Sequence, residues 1–293
     1  MSVDTSAVSH LAPVGPTPRP NGVLYMPRHI GIHEDVAFIR ACRDDQEHLL
    51  AVGPPGTGKT ALADAAFFLD ATSEHSGMET LTFTADTTEA DLLGTFVQDP
   101  DSGAFVWVHG PLTRSVLADV PFYADEPNLS DSRVLSPLYA LMDGRGFLRV
   151  PANPTLAPIP VGSRWFVIAA CNPDVPGGQL SEAFIDRFDH VIEVGTDWAL
   201  AVDLGVLPEL VDAARALDEK RRNGMMSWSP QMRTLLSFQR ANNKYGLPYA
   251  LGNLLRKAPA DALPLVQAEF ADRGVLAGGA PNALGGRFRG RRG

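Results

Sequence analysis

Cysteine is scarce in this chain. Only Cys42 and Cys171 occur among 293 residues, and they lie far apart. A disulfide framework is therefore not expected, and a reducing cytoplasmic compartment fits. Long apolar runs are also lacking. No stretch reaches about 18 apolar residues, so no membrane span or membrane partner is expected. Met1–His10 has neither a basic stretch nor an apolar one, so no secretion signal is expected. Basic charge is in deficit. Lys and Arg number 25 against 34 Asp and Glu, a net charge of −9. An acidic body does not favour broad contact with nucleic-acid phosphates or an anionic membrane.

What is present is enough apolar material for a core. Hydrophobic residues make up 45% and charged residues 20%, which excludes a disordered or fibrous chain. The length suggests about two domains. Residues 1–22 carry Pro13, Pro16, Pro18 and Pro20 and read as a flexible arm without a packed core. Residues 274–293 thin into Gly, Ala, Pro and Arg, and read as a flexible tail. Its arginines, Arg287, Arg289, Arg291 and Arg292, hide how acidic the body is.

Five apolar runs predict buried strands: Leu49–Val52, Leu81–Thr84, Pro121–Ala124, Trp165–Cys171 and Val191–Val194. Helical spacing lies between them, as at Ala61–Leu69 and Ser136–Met142. Alternation of this kind predicts an α/β fold with a parallel sheet covered on both faces. After Thr196 the strand signal stops. Leu207–Arg222, Pro230–Asn242, Leu247–Lys257 and Ala260–Arg273 read as helices, with Ser229 as N-cap and Pro230 at the first helical position. The expected organisation is an α/β domain at 23–195 and a small helical domain at 196–273.

Gly53-Pro54-Pro55-Gly56-Thr57-Gly58-Lys59-Thr60 follows a strand and opens a helix. Its spacing is G-x-x-x-x-G-K-T, the phosphate-binding loop. Glycines let the backbone turn its N–H groups inward on phosphate oxygens, and the helix N-terminus adds a positive dipole end. Lys59 is placed to bridge the β- and γ-phosphates of ATP, and Thr60 to hold Mg²⁺ through its hydroxyl. The nucleotide-binding candidates are these eight residues and the adjoining Ala61.

The run Pro121–Ala124 leads into Asp125-Glu126. Two acids at the end of a buried strand are costly unless paired or bound to a cation. Beside a phosphate loop, Asp125 would orient the Mg²⁺ shell and Glu126 would polarise an attacking water. Asn172 ends the next strand, where its amide could hold that water or serve only as a turn residue before Pro173. Arg187 follows a short helical stretch. It is either a finger reaching a neighbouring copy's γ-phosphate or one half of a surface ion pair with Asp186 or Asp189.

These elements in this order resemble the AAA+ ATPases, and more narrowly the MoxR and dynein-related branch that includes CbbQ and NorQ. The resemblance covers about residues 20–245. It rests on the loop at 53–60, Ala-Asp-Glu-Pro-Asn at 124–128, Ala-Cys-Asn-Pro at 170–173 and Asp-Arg-Phe at 186–188. Arg19-Pro20-Asn21-Gly22 with Tyr25, and Trp107-Val108-His109-Gly110-Pro111-Leu112, are also similar to segments of that branch. The resemblance implies a P-loop NTPase αβα sandwich, its five-stranded parallel sheet in the order 5-1-4-3-2, followed by a helical lid. It implies Walker A at Lys59 and Thr60, Walker B at Asp125 and Glu126, sensor 1 at Asn172 and an arginine finger at Arg187. It implies inserted hairpins near 99–109 and 147–164, facing a ring pore or a partner. The activity implied is ATP hydrolysis with Mg²⁺ in a homo-oligomeric, hexameric ring that remodels a protein client. A von Willebrand factor A domain protein is one such client.

Two features depart from the branch. Pro127 replaces the usual aliphatic residue after the acid pair. Ser229-Pro230-Gln231-Met232-Arg233 delays the sensor 2 arginine by two positions, which turns a helical side chain by roughly 200°. Arg233 then serves only if its helix starts later. Phe105-Val106-Trp107 reads equally as a grip on a threaded chain or as the packed strand of a hairpin. Other readings of the phosphate loop are a nucleic-acid motor of a DNA-processing or restriction system, supported by the arginine tail alone, a monomeric P-loop kinase of a small metabolite, and a nucleotide switch that hardly hydrolyses.

Overall fold

The computed structural model describes residues 11–73, 75–173 and 180–275. Its contacts divide into two compact units. One comprises residues up to Pro54 with Gly58–Val194, and the other Pro55–Thr57 with residues from Gly195 on.

The first unit is built on five parallel strands: β1 (Leu49–Val52), β2 (Glu79–Thr82), β3 (Phe122–Asp125), β4 (Val167–Cys171) and β5 (His190–Glu193). Their order across the sheet is β5-β1-β4-β3-β2, which is the 5-1-4-3-2 order expected. Strands β1, β3 and β4 are buried along nearly their whole length, as their continuous apolar runs require. The two edge strands alternate between half-buried and exposed positions. That alternation explains why β2 starts at Glu79 and not at Leu81. An apolar-run criterion cannot see an edge strand half of whose residues face solvent.

Period-two alternation sends the central side chains into two separate cores. Leu49, Ala51, Tyr123, Ile168 and Ala170 pack on one face with α1 (Asp35–Asp45) and α2 (Lys59–Phe67). Leu50, Phe122, Ala124, Val167 and Ala169 pack on the other. They meet α3 (Glu89–Leu93), α4 (Pro111–Ala118), α5 (Ser136–Met142) and α6 (Glu182–Ile185) there. Trp165 is fully buried on that second face and donates its indole N–H to Ser115 Oγ at 3.0 Å.

Two antiparallel hairpins interrupt this pattern. Gly94–Gln98 pairs with Phe105–His109, so the first insert begins before the expected residue 99. Trp107 packs edge-on against Phe96 with ring centroids 5.1 Å apart and reaches the core, while Phe105 is 70% exposed. The second hairpin is short and pairs Phe147–Leu148 with Ile159–Pro160. Residues 11–22 also depart from expectation, because they are not a loose arm. Thr17–Pro18 pairs with Leu24–Tyr25, and the Val14 and Gly15 N–H groups donate to Glu34 Oε2 at 2.7 and 3.0 Å. Backbone donors between the prolines find acceptors, and Thr17 is buried. Residues 1–10 of the arm and the arginine tail lie outside the described residues.

The second unit is helical: α7 (Trp198–Asp203), α8 (Pro208–Arg222), α9 (Met232–Tyr245), α10 (Leu247–Leu255) and α11 (Leu263–Asp272). Its core contains Leu210, Leu217, Leu235, Phe238, Leu254 and Phe270. Helix α9 starts two residues later than expected, which corrects the assignment of Ser229 and Pro230. Gln231 is the residue before the first helical turn. Ser229 is occupied elsewhere: its hydroxyl donates to Asp218 Oδ1 at 2.8 Å. The same carboxylate oxygen accepts from Gln231 Nε2 at 2.7 Å and Arg221 Nε at 3.0 Å. Thr196 Oγ1 donates to Gln231 Oε1 at 2.7 Å and accepts from the Met232 N–H at 3.1 Å. A buried network, and not a local cap, sets this helix start.

Burial alone would push the Asp218 carboxyl up, but hydrogen bonds from Ser229, Gln231 and Arg221 outweigh it and hold the group below its ordinary value. A depressed carboxyl stabilises the fold above its unfolded pKa of about 3.9, and that contribution disappears as pH falls through the folded value. Asp218→Asn is expected to flatten the loss of stability between pH 5 and pH 2. Urea denaturation at a series of pH values, read by circular dichroism, measures this. An identical slope in both proteins would contradict it.

Candidate functional site

The site forms where β1, β3 and β4 end at the same level. Parallel register pairs Val52 with Cys171 and Asp125 with Ala170. The ladder then runs one step further on each strand. Gly53 N–H donates to Cys171 C=O at 3.1 Å, and Glu126 N–H donates to Ala170 C=O at 2.7 Å. The phosphate loop, the acid pair and Asn172 therefore leave the sheet side by side. This is the edge at which parallel α/β sheets carry their ligands.

Gly53 has a steric role. A Cβ built on it would lie 2.2 Å from Val194 C=O, so no larger residue fits between the loop and the end of β5. Pro55 is exposed, Pro54 and Gly56 are half-buried, and Thr57 is buried. Gly58 stands at φ +99° immediately before α2, a conformation that side chains disfavour. Helix α2 then starts at Lys59, with Thr60 exposed and Ala61 half-buried in its first turn. Lys59 is buried, and its Nζ donates to the Gly53 and Pro54 carbonyls at 2.7 and 3.2 Å.

Asp125 ends β3, and Glu126 follows it at φ +53°. Such a conformation costs a non-glycine residue about 1–3 kcal/mol, and its context must hold it there. Three contacts do so. The Glu126 N–H extends the ladder, its C=O accepts from the Leu129 N–H at 3.0 Å, and its Oε2 accepts from the Asn172 N–H at 3.0 Å. Pro127 is buried and opens the short 3₁₀ turn that contains Leu129. Asn172 is itself 8% exposed, and its C=O accepts from Asn128 Nδ2 at 3.3 Å. Burial, with a smaller push from the Glu126 carboxylate, raises the Cys171 thiol to about 11 and keeps it neutral.

Tyr123 was not apparent as a site residue from the sequence. Its hydroxyl lies 3.1 Å from Thr60 Oγ1 and 3.4 Å from Asp125 Oδ1. The signal was available in strand parity, since Tyr123 stands two residues before Asp125 and so on the same face. Thr60 and Asp125 together offer Mg²⁺ the hard oxygen donors it requires, gathered around one phenol.

Arg187 lies away from this group, beyond α6. Its guanidinium grips Asp143 in a fork, Nε to Oδ1 at 2.8 Å and NH2 to Oδ2 at 3.0 Å, and stacks over Tyr139 at 4.8 Å. Gln46, His48, Asp186 and Asp189 line the same polar recess. Arg233 sits in the second position of α9 and is exposed. Its N–H donates to Gly56 C=O at 2.9 Å.

Residues 48–188 match the AAA domain of the dynein-related subfamily. That stretch, just under half of the chain, is similar to AAA domains of this subfamily. The chain is 29% identical to the protein NorQ of Paracoccus denitrificans over 155 residues, 52% of this chain and 54% of that protein. It is 32% identical to Midasin of Giardia intestinalis over 149 residues, 50% of this chain and 3% of that protein. The chain thus spans about half of one curated relative and a small fraction of the other. A crystal structure of an ATPase candidate from Cytophaga hutchinsonii superposes over 78% of each chain, with TM-score 0.45 and 17% identity. Among the described residues no helix is long and apolar enough to cross a membrane.

Overpacking a filled position typically costs about 1–3 kcal/mol. Gly53→Ala is therefore expected to destabilise the protein within that range and to abolish binding of a fluorescent ATP analogue. Thermal melting and fluorescence anisotropy test the two effects. A variant with the melting point and affinity of the parent would refute the steric account.

Proposed function

We propose that this protein binds ATP with Mg²⁺ and hydrolyses it, working as a ring of identical copies that remodels a protein client. One observation carries the hydrolytic part: the phosphate loop, the Asp125–Glu126 pair and Asn172 leave adjacent strands at one level, with Glu126 Oε2 bound to the Asn172 N–H.

In this proposal the loop backbone and Lys59 bind the phosphates, and Lys59 exchanges its two carbonyl acceptors for phosphate oxygens. Thr60 and Asp125 hold Mg²⁺, which when bound neutralises charge on the phosphates. Glu126 orients the attacking water and takes its proton. The Asn172 N–H fixes that carboxylate, and the Asn172 amide is assigned to the γ-phosphate or the water. Arg187, half-buried and paired with Asp143 in its own chain, is assigned to the nucleotide of a neighbouring copy on the resemblance. Arg233 is assigned the sensor 2 role on the resemblance alone. The domain division proposed is 23–195 and 196–273. A hexamer, a cytoplasmic setting and a von Willebrand factor A client extend the resemblance to this chain. No described residue adds support to a nucleic-acid substrate, because the arginine tail lies outside them.

Removing a general base costs typically about 10²–10⁴-fold in rate, and removing an arginine finger about 10³–10⁵-fold. Glu126→Gln and Arg187→Ala are expected to lose turnover on those scales while retaining ATP binding. Steady-state phosphate release, together with binding of a fluorescent ATP analogue, tests this. Undiminished turnover in Glu126→Gln would overturn the hydrolytic assignment. Undiminished turnover in Arg187→Ala would overturn action between copies.

A further inference from the structure

Tyr123 lies in the middle of β3, buried completely, on the face that packs against α2. A buried phenol satisfies its hydroxyl somewhere. Here both neighbours of that hydroxyl are the oxygen groups assigned to Mg²⁺, Thr60 Oγ1 at 3.1 Å and Asp125 Oδ1 at 3.4 Å. The arrangement follows from two periodicities. Tyr123 and Asp125 share a face of β3, and Thr60 opens the helix that lies over that face. A second hydroxyl, Thr82 Oγ1, lies 3.5 Å from the other carboxylate oxygen, Asp125 Oδ2.

The hydrogen inventory gives this contact a consequence. Tyr123 has one proton for two acceptors. A carboxylate accepts only, whereas the threonine hydroxyl can donate or accept. One arrangement satisfies all three groups: Thr60 donates to the Tyr123 oxygen, and Tyr123 donates to Asp125. Both lone pairs of Thr60 are then directed away from its proton and are available to a cation. Without the phenol, the Thr60 hydroxyl can rotate and Asp125 loses a donor. Groups that orient metal ligands in this way typically change metal affinity about 10–100-fold when removed.

We propose that Tyr123 is a positioning residue for the divalent cation, orienting Thr60 and Asp125 together through its hydroxyl. This inference rests on the assignment of ATP and Mg²⁺ to the site. Its specific content is that an ordinary-looking core aromatic of the sheet sets the cation dependence of nucleotide binding.

Tyr123→Phe tests it, since the ring that fills the core is kept and only the hydroxyl is lost. The full chain would be titrated with Mg²⁺ at fixed N-methylanthraniloyl-ATP, followed by fluorescence anisotropy. Mn²⁺ occupancy would be read separately by electron paramagnetic resonance. The Mg²⁺ midpoint is expected to rise about tenfold or more, with analogue affinity in EDTA unchanged and a matching loss of Mn²⁺ affinity. Phe122→Leu serves as the packing control. It trims the opposite core and should lower the melting temperature without moving the midpoint. A Tyr123→Phe midpoint within twofold of the parent, with nucleotide binding intact, would overturn the role of Tyr123 alone. Failure of the parent protein to bind the analogue at any Mg²⁺ concentration would overturn the nucleotide assignment and this inference with it.

Discussion

The backbone ladder at the ends of β1, β3 and β4 is the constraint on which the site depends. Parallel strands must pair in one register, because a slip by a single residue would exchange the two buried faces. Here both faces are filled, by Leu49 and Ala51 on one side and Leu50 on the other. The register is therefore held by apolar burial along the whole sheet. Its product is local. Gly53, Glu126 and Asn172 emerge in neighbouring places, though they are distant in sequence.

The same edge concentrates what a fold ordinarily avoids. Glu126 adopts a left-handed conformation, Lys59 is buried, and two carboxylates end an apolar strand. Each is tolerable because the backbone supplies partners. Carbonyls of the loop accept from Lys59, and the Asn172 N–H donates to Glu126. Those partners are polar groups that a bound phosphate or water can replace at modest net cost. The helical unit uses a comparable device for stability. Asp218 gathers Ser229, Gln231 and Arg221 around one buried carboxylate and so decides where α9 begins.

Much of this was legible in the sequence because it rests on local rules. The phosphate loop needs a strand, glycines and a helix start within a short span, and all are contiguous at 49–60. The central strands announced themselves as apolar runs, and Asp125-Glu126 stood out because acids rarely follow such a run. Where burial is one-sided the pattern weakened, so the edge strand β2 was placed two residues late. The helix at Asp35–Asp45 was missed for a related reason. Its mean composition is polar, and its apolar inward contacts are few: Val36, Ala37, Ile39 and Cys42, with Phe38 half-buried beside them. The proline-rich stretch at 11–22 looked loose because its partners, Glu34 and Tyr25, lie in other segments.

The sequence by itself determined the chemistry on offer and the strand and helix alternation that carries it. Those depend on residue type and short spacing. Only the tertiary structure decided which groups meet. Ser229-Pro230 carries the local signature of a helix start, yet Asp218 takes the Ser229 hydroxyl and moves the start to Met232. Tyr123 reads as one more core aromatic until α2 brings Thr60 to its hydroxyl. Arg187 reads as a finger or as the partner of Asp186 or Asp189, and the turn after α5 brings Asp143 to its fork instead. In each case the deciding hydrogen bond joins separate segments, and no spacing rule along the chain records it.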